Sequence, residues 1–246
     1  LQHGAEKQVD YDPINKLVGV YRDLVEDGHT FEVSEYARCI NQKESEVRKS
    51  MELAELMVEF LDFLNAPKQF YIAMNMNING PLTEMHSVLK KLPDDDVRER
   101  FKKHMFTALL YGSGDVTRDI RRFKKLAENE LSEAYLLAAD EMSDAVIDKI
   151  ESIDGPITQE VISEQIKNDT ELASKIEDVI SGEYERVSAQ TAKEAPLNLI
   201  NHAIAKVQAI DKTSISIVDQ KDELENKLNI LKKEVEKRLE MLNELK

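Results

Sequence analysis

The sequence predicts an all-α protein, and three observations carry that expectation. The 246 residues are 33% charged and 41% hydrophobic, contain no Trp, and hold only 8 Gly and 6 Pro. Such a composition, rich in Glu, Lys, Leu, Ile and Ala, favours helix along most of the chain. Apolar residues recur at spacings of three and four, and no stretch alternates with the period of two that a strand requires. Capping residues stand where those periodic stretches begin.

The first helix follows from "DPINKLVGVYRDLVEDG". Asp12 is placed to cap it, Pro13 suits its first position, and Gly28 ends it. Ile14, Leu17, Val18, Tyr21, Leu24 and Val25 mark its apolar face. A second helix, about 31–40, should turn Val33, Tyr36, Ala37 and Ile40 inward. "NQK" breaks it, and a third helix from Glu44 to about Leu64 carries Val47, Met51, Ala54, Val58 and Leu61 in a 4-3-4-3 rhythm. One or two helices are expected around Phe70–Met76, and another after Gly80-Pro81. A further helix has Val97, Phe101, Met105 and Leu109 as its stripe.

"DVTRDIRRFKKL" is a basic amphipathic segment expected to continue as helix towards Ile153. "DGPITQEVISEQI" and "DTELASKIEDVISG" read as two short capped helices. From Leu197 a heptad pattern places Val207, Leu228, Val235 and Leu242 at a, and Ile210, Ile217, Leu224, Leu231 and Leu245 at d. Ser214 and Lys221 at a, and Arg238 at d, make the seam impure. The pattern predicts a coiled coil that pairs two copies of the chain, or else a hairpin folding back on residues 160–195. The resulting division is a linker (1–11), a helical core (12–126), an acidic helical region (127–196) and a C-terminal dimerisation element (197–246).

Composition also limits function. A net charge of −15 argues against coating nucleic acid indiscriminately. Yet residues 96–126 hold nine Lys/Arg against four Asp/Glu, a basic island in an acidic chain. Arg118, Arg121, Arg122 and Lys125 recur at i, i+3, i+4 and i+7 and so share one helical face. That face either grips phosphates, with Lys102 and Lys103 adding to it, or pairs with carboxylates of the acidic C-terminal half. No apolar run reaches the roughly 18–20 residues of a membrane-spanning helix. A single Cys, Cys39, excludes an intrachain disulfide and fits a reducing cytoplasm; its place on an apolar stripe predicts burial. Leu1 is expected to be an internal start, with a segment upstream removed.

The five histidines lie far apart without metal-ligand spacing. Asp94–Asp96 opens a helix, where capping explains the carboxylates. No phosphate loop or nucleophile motif is present, so neither enzyme activity nor a cofactor is expected.

"SEYARCINQKESEVRKSMEL" (34–53) carries the functional expectation. A helix-turn-helix needs a small residue in its first helix, a residue tolerant of left-handed backbone at the turn, and an apolar residue early in its second helix. Ala37, Asn41 and Val47 supply these, while any three-helix bundle can offer the same set by chance. With them buried, Gln42, Lys43, Ser45, Glu46, Arg48 and Lys49 should face outward. Those side chains can bond base edges and phosphates.

"DYDPINKLVGVYRDLVEDGHTFEVSEYARCINQKESEVRKSMEL" resembles the central region of ParB-type chromosome and plasmid partition proteins. In that family an "ENLQR…NPIEEAEAY" linker precedes "…EIAE.LGKS.STV…LL.L". Leu1-Gln2 are similar to the tail of "NLQ", and Asp12-Pro13-Ile14 to "NPI". Tyr36-Ala37 match "IA", Asn41-Gln42-Lys43 stand for "GKS", Ser45-Glu46-Val47 for "STV", and Ser50-Met51 for "LL". Asn replaces Gly, Ser50 replaces an apolar residue, and Glu44 and Glu46 make the second helix more acidic. The resemblance implies binding of double-stranded DNA at a centromere-like site, a homodimer, a partition motor ATPase as partner, and a place on the nucleoid or a plasmid in the cytoplasm. The Arg-rich nucleotide-binding motif of the family is not among these residues. A helical adaptor that binds only proteins, or a transcriptional regulator unrelated to partition, would share the same helices.

Overall fold

The computed structural model describes residues 12–92, 94–112, 115–211, 215 and 221–244. All regular secondary structure among them is helical, so the chain belongs to the all-α class. It divides into two compact units, residues 1–189 and 190–246. That division differs from the boundaries at 126 and 196 read from the sequence. The reason is that the apolar core continues without interruption past Leu126 to Tyr135, Val146, Ile162, Ile176 and Val187. The linker 1–11, with Leu1 and Gln2, lies outside the described residues.

In the first unit, α1 spans Pro13–Leu24. The Asp12 carboxylate accepts from the Ile14 amide at 2.8 Å and the Asn15 amide at 3.4 Å, satisfying donors that a helix start leaves open. Helix α2 is Val33–Cys39 and α3 is Glu44–Phe63. Helix α3 is the centre of the unit; its Ala54, Met57, Phe60 and Leu61 are fully buried. Then follow α4 (Phe70–Asn75) and α5 (Asn79–Leu89). The last begins before Gly80-Pro81 and not after it, because proline fits the first turn of a helix as well as a break.

Helix α6 covers Asp95–Tyr111, and α7 covers Val116–Ala127. At the start of α6 the Asp94 carboxylate accepts from the amides of Asp96 and Val97, the capping role read from the sequence. Phe101, Met105 and Leu109 are buried as expected, but Val97 is exposed, since only the later turns of α6 are covered. Phe106 of α6 meets Phe60 and Phe63 of α3 at ring separations of 5.4 and 5.5 Å. Gly112 ends α6; a Cβ there would lie 2.9 Å from the Ala108 carbonyl oxygen.

The basic segment does not run on to Ile153 as one helix. It stops at Ala127, and α8 (Glu133–Glu151) starts after a break. A buried carboxylate far along the chain fixes that break. Glu183 accepts from the Ser132 amide (2.7 Å) and hydroxyl (2.9 Å), while the same hydroxyl accepts from the Tyr135 amide to cap α8. Arg186 donates to both Glu183 oxygens at 2.8 and 2.9 Å.

A short α9 (Gln159–Val161) passes into a π-turn, Ile162–Ile166. Helix α10 runs Thr170–Gln208 with Pro196 inside it, so Gly182 does not end a short helix there. Nothing lies within 4 Å of a Cβ at Gly182, and the helix formers on both sides carry it through.

In the second unit, α10 ends at Gln208 and α11 spans Lys221–Glu244. The continuous five-heptad helix expected from Leu197 is therefore interrupted. The Ile210 amide bonds back only three residues, to the Val207 carbonyl, and the Asp211 amide only two, to that of Ala209, so the chain leaves the α-helical path there. Seam positions Ser214, Ile217 and Leu245 lie outside the described residues.

Candidate nucleic-acid interface

Helices α2 and α3 meet across residues 40–43. Asn41 adopts φ +54°, the left-handed region that Asn enters at low cost. The turn closes tightly: the Gln42 amide donates to the Ala37 carbonyl at 3.0 Å, and the Ile40 amide to that of Tyr36 at 3.0 Å. Ala37 and Val47 are both buried, Val47 to 1% exposure, and they fasten the two helices to the core around α1 and α3.

Two inward expectations for α2 fail. Ile40 is 41% exposed, and Cys39 is an exposed free thiol. A helix of seven residues makes barely two turns, and the turn at Asn41 swings its last residues away from α3. Only Ala37 is fully covered; Val33 and Tyr36 are half-buried.

Gln42, Lys43, Ser45, Glu46, Arg48 and Lys49 are all exposed on this corner. Its two carboxylates are both engaged within the corner. Glu44 lies 3.7 Å from Arg48, one turn on. The Glu46 carboxylate turns back to accept from the Lys43 amide at 3.4 Å, as an N3 glutamate does when it closes a helix start. Arg38, exposed in the last turn of α2 and adjacent in sequence to Ala37, adds a cation to the corner beyond the six residues expected from the sequence.

Position 41 offers a direct check on the turn. Asn41→Gly should leave stability unchanged or slightly raised, whereas Asn41→Val should lower it by about 1–2 kcal/mol, because a β-branched residue is strained at positive φ. Urea denaturation of the two variants would separate them.

The basic face of α7 is divided between neighbours. Arg121 binds Glu84 of α5 at 2.7 Å. Arg122 binds Glu177 of α10 at 2.6 Å and reaches Asp119 at 3.4 Å. Lys125 donates to the Ser188 hydroxyl at 2.9 Å and lies 5.4 Å from the Tyr184 ring centre. Burial pushes the Glu177 carboxyl up, but hydrogen bonds from Ser181 and Arg122 outweigh it and hold the group below its ordinary range. Arg118 is exposed. All three are held within the chain, but only Arg122 pairs with a carboxylate of the C-terminal half as the intrachain reading expects; Arg121 pairs with Glu84 of α5, and Lys125 with a hydroxyl and a ring. Lys102 likewise pairs with Glu59 and Glu99. Among the described residues no hydrogen bond or ion pair joins this face to residues 42–49.

Other polar clusters are structural. His104 is buried, and its Nε2 lies 2.7 Å from Asp140, which also binds Arg100. Burial lowers the His104 pKa against the pull of Asp140. The neutral ring therefore donates Nε2–H to Asp140, and its buried Nδ1 is without a partner. Among the described residues no group of three or more His, Cys, Asp or Glu could hold a metal ion, and no helix is long and apolar enough to cross a membrane. No family model matches this chain, and neither does any curated protein or solved structure with which it was compared.

Proposed function

We propose that the chain binds double-stranded DNA sequence-specifically through the α2–α3 corner, as a helix-turn-helix, in ParB-like plasmid or chromosome partition. The observation that carries the reading is the left-handed backbone at Asn41 between buried Ala37 and Val47. Those three residues set one helix across the other and leave six hydrogen-bonding side chains bare at the start of the second. Gln42 suits adenine, Arg48 suits guanine, Ser45 either, and Lys43 and Lys49 suit phosphates. The partition role, with its centromere-like site, motor ATPase partner and association with nucleoid or plasmid, rests on the sequence resemblance.

The test is selection of preferred duplexes from a random pool, followed by anisotropy titration of the best one against a scrambled duplex at two salt concentrations. Arg48→Ala should weaken the preferred complex about tenfold or more, the effect of losing one base contact of roughly 1–3 kcal/mol. Lys49→Ala should weaken both duplexes alike. Failure to enrich any sequence, with no binding above the scrambled duplex, would sink the reading. It would favour a helical adaptor, a second reading suggested by the exposed apolar side chains of α11. A transcriptional regulator would bind DNA equally well; a motor ATPase gene beside its own would separate partition from that role.

A further inference from the structure

Helix α11 buries none of its residues. Leu228, Leu231 and Val235 are 37%, 38% and 45% exposed, and Leu224 is half-buried. These four recur at 4-3-4 spacing and make one stripe, bounded by Lys221 and Arg238 in the same seam. Such a stripe in water is an unmade interface, and the charges along its two edges say what fits it. One edge carries Lys227 and Glu234; the other carries Glu225 and Lys232.

Two orientations of a second copy can be compared residue by residue. In a parallel pair, each g residue faces the e residue five positions on in the other helix. Lys227 then faces Lys232 twice, and Glu234 faces Leu239. In an antiparallel pair, g faces g and e faces e. Centred between Asn229 and Ile230, that arrangement packs Leu228 on Leu231 and Leu224 on Val235. It also sets Lys227 against Glu234 of the second copy and Glu225 against Lys232, each twice. Sliding one helix by a heptad places Lys232 and Glu234, or Glu225 and Lys227, opposite themselves. The seam cations do not choose between orientations. Lys221 meets Arg238 when the helices are antiparallel, and each meets itself when they are parallel. Only the antiparallel register centred at 229–230 satisfies both edges.

We infer that two copies of the chain associate through α11 in that antiparallel register. This rests on the helix face alone and stands whether or not the α2–α3 corner binds DNA.

The experiment uses the full chain with Cys39→Ser, so that one introduced thiol takes a nitroxide. A label at Glu240→Cys, on the outer side of α11, lies about ten residues from the centre. Antiparallel mates then sit roughly 30 Å or more apart, at 1.5 Å rise per residue, whereas parallel mates lie within about 20 Å. Lys227→Glu supplies an independent sign. It sets two carboxylates against each other in the antiparallel pair, weakening the dimer about tenfold, and adding Glu234→Lys restores it. In a parallel pair the same single change would remove a Lys–Lys clash and tighten the dimer.

A dimer with long separations that Lys227→Glu weakens is the expected result. Three outcomes overturn the proposal: a chain that sediments as a monomer, short separations with a tightened dimer, or a dimer that survives Leu228→Asp with Leu231→Asp. The last would place association on the exposed Leu197, Leu199 and Ile200 of α10 instead.

Discussion

Phe60→Ala is expected to destabilise the first unit by about 3–5 kcal/mol. Phe60 sits at 0% exposure in the last turn of α3, against the ring of Phe106 at 5.4 Å. Truncation forfeits the burial of a whole ring and leaves a cavity. Phe106 and Phe63 cannot both move to fill it without abandoning their own contact at 5.5 Å. With total stabilities commonly 5–15 kcal/mol, this one change removes a large share. Phe60→Leu keeps most of the volume and should cost less than half as much. Urea denaturation followed by circular dichroism would measure both, with the midpoint shifting and the slope preserved. A loss below about 1 kcal/mol for the alanine variant would show that this part of the core is loosely packed.

Glu183→Ala should cost about 2–3 kcal/mol, more than an ordinary surface carboxylate. The Glu183 side chain is buried, and it is the acceptor that both the amide and the hydroxyl of Ser132 use. Its loss leaves the Ser132 amide unpaired at the start of α8. The ion pair to Arg186 contributes less, because that guanidinium is partly in water and keeps its bond to the Glu130 carbonyl. The pH dependence has a definite sign. Arg186, followed by the Ser132 amide and hydroxyl, holds the Glu183 carboxyl below its ordinary value of 4.5. A carboxylate depressed in the folded state stabilises it above the unfolded pKa and loses that contribution as pH falls through the folded one. Stability of the parent chain should therefore fall below about pH 4.5 more steeply than that of Glu183→Ala, when melting is followed between pH 7 and pH 3.

What the sequence revealed depended on how local the cause was. Asp12, Pro13 and the stripe of α1 specify that helix within one segment, and the structure builds it as read. Asn41 was legible because few residue types tolerate positive φ, and it stands between two residues that must be covered. Ile40 and Cys39 were misplaced because two helical turns do not determine which edge a neighbour covers. The break before α8 could not be read from residues 127–132, since the carboxylate that fixes it stands 51 residues away. The stripe of Arg118, Arg121, Arg122 and Lys125 shows a similar limit. Spacing establishes a shared face, whereas Glu84, Glu177 and Ser188, which occupy most of it, come from other helices.

The two carboxylates engaged within the corner have a kinetic consequence. With Glu44 beside Arg48 and Glu46 drawn back to the Lys43 amide, the corner projects little positive field, and the whole chain carries −15. A duplex approaching such a surface is not steered towards it by long-range attraction, in contrast to the fast capture typical of cationic DNA-binding surfaces. On the DNA-binding reading, discrimination between sites then resides in how long a docked complex persists, and hardly at all in how often one forms.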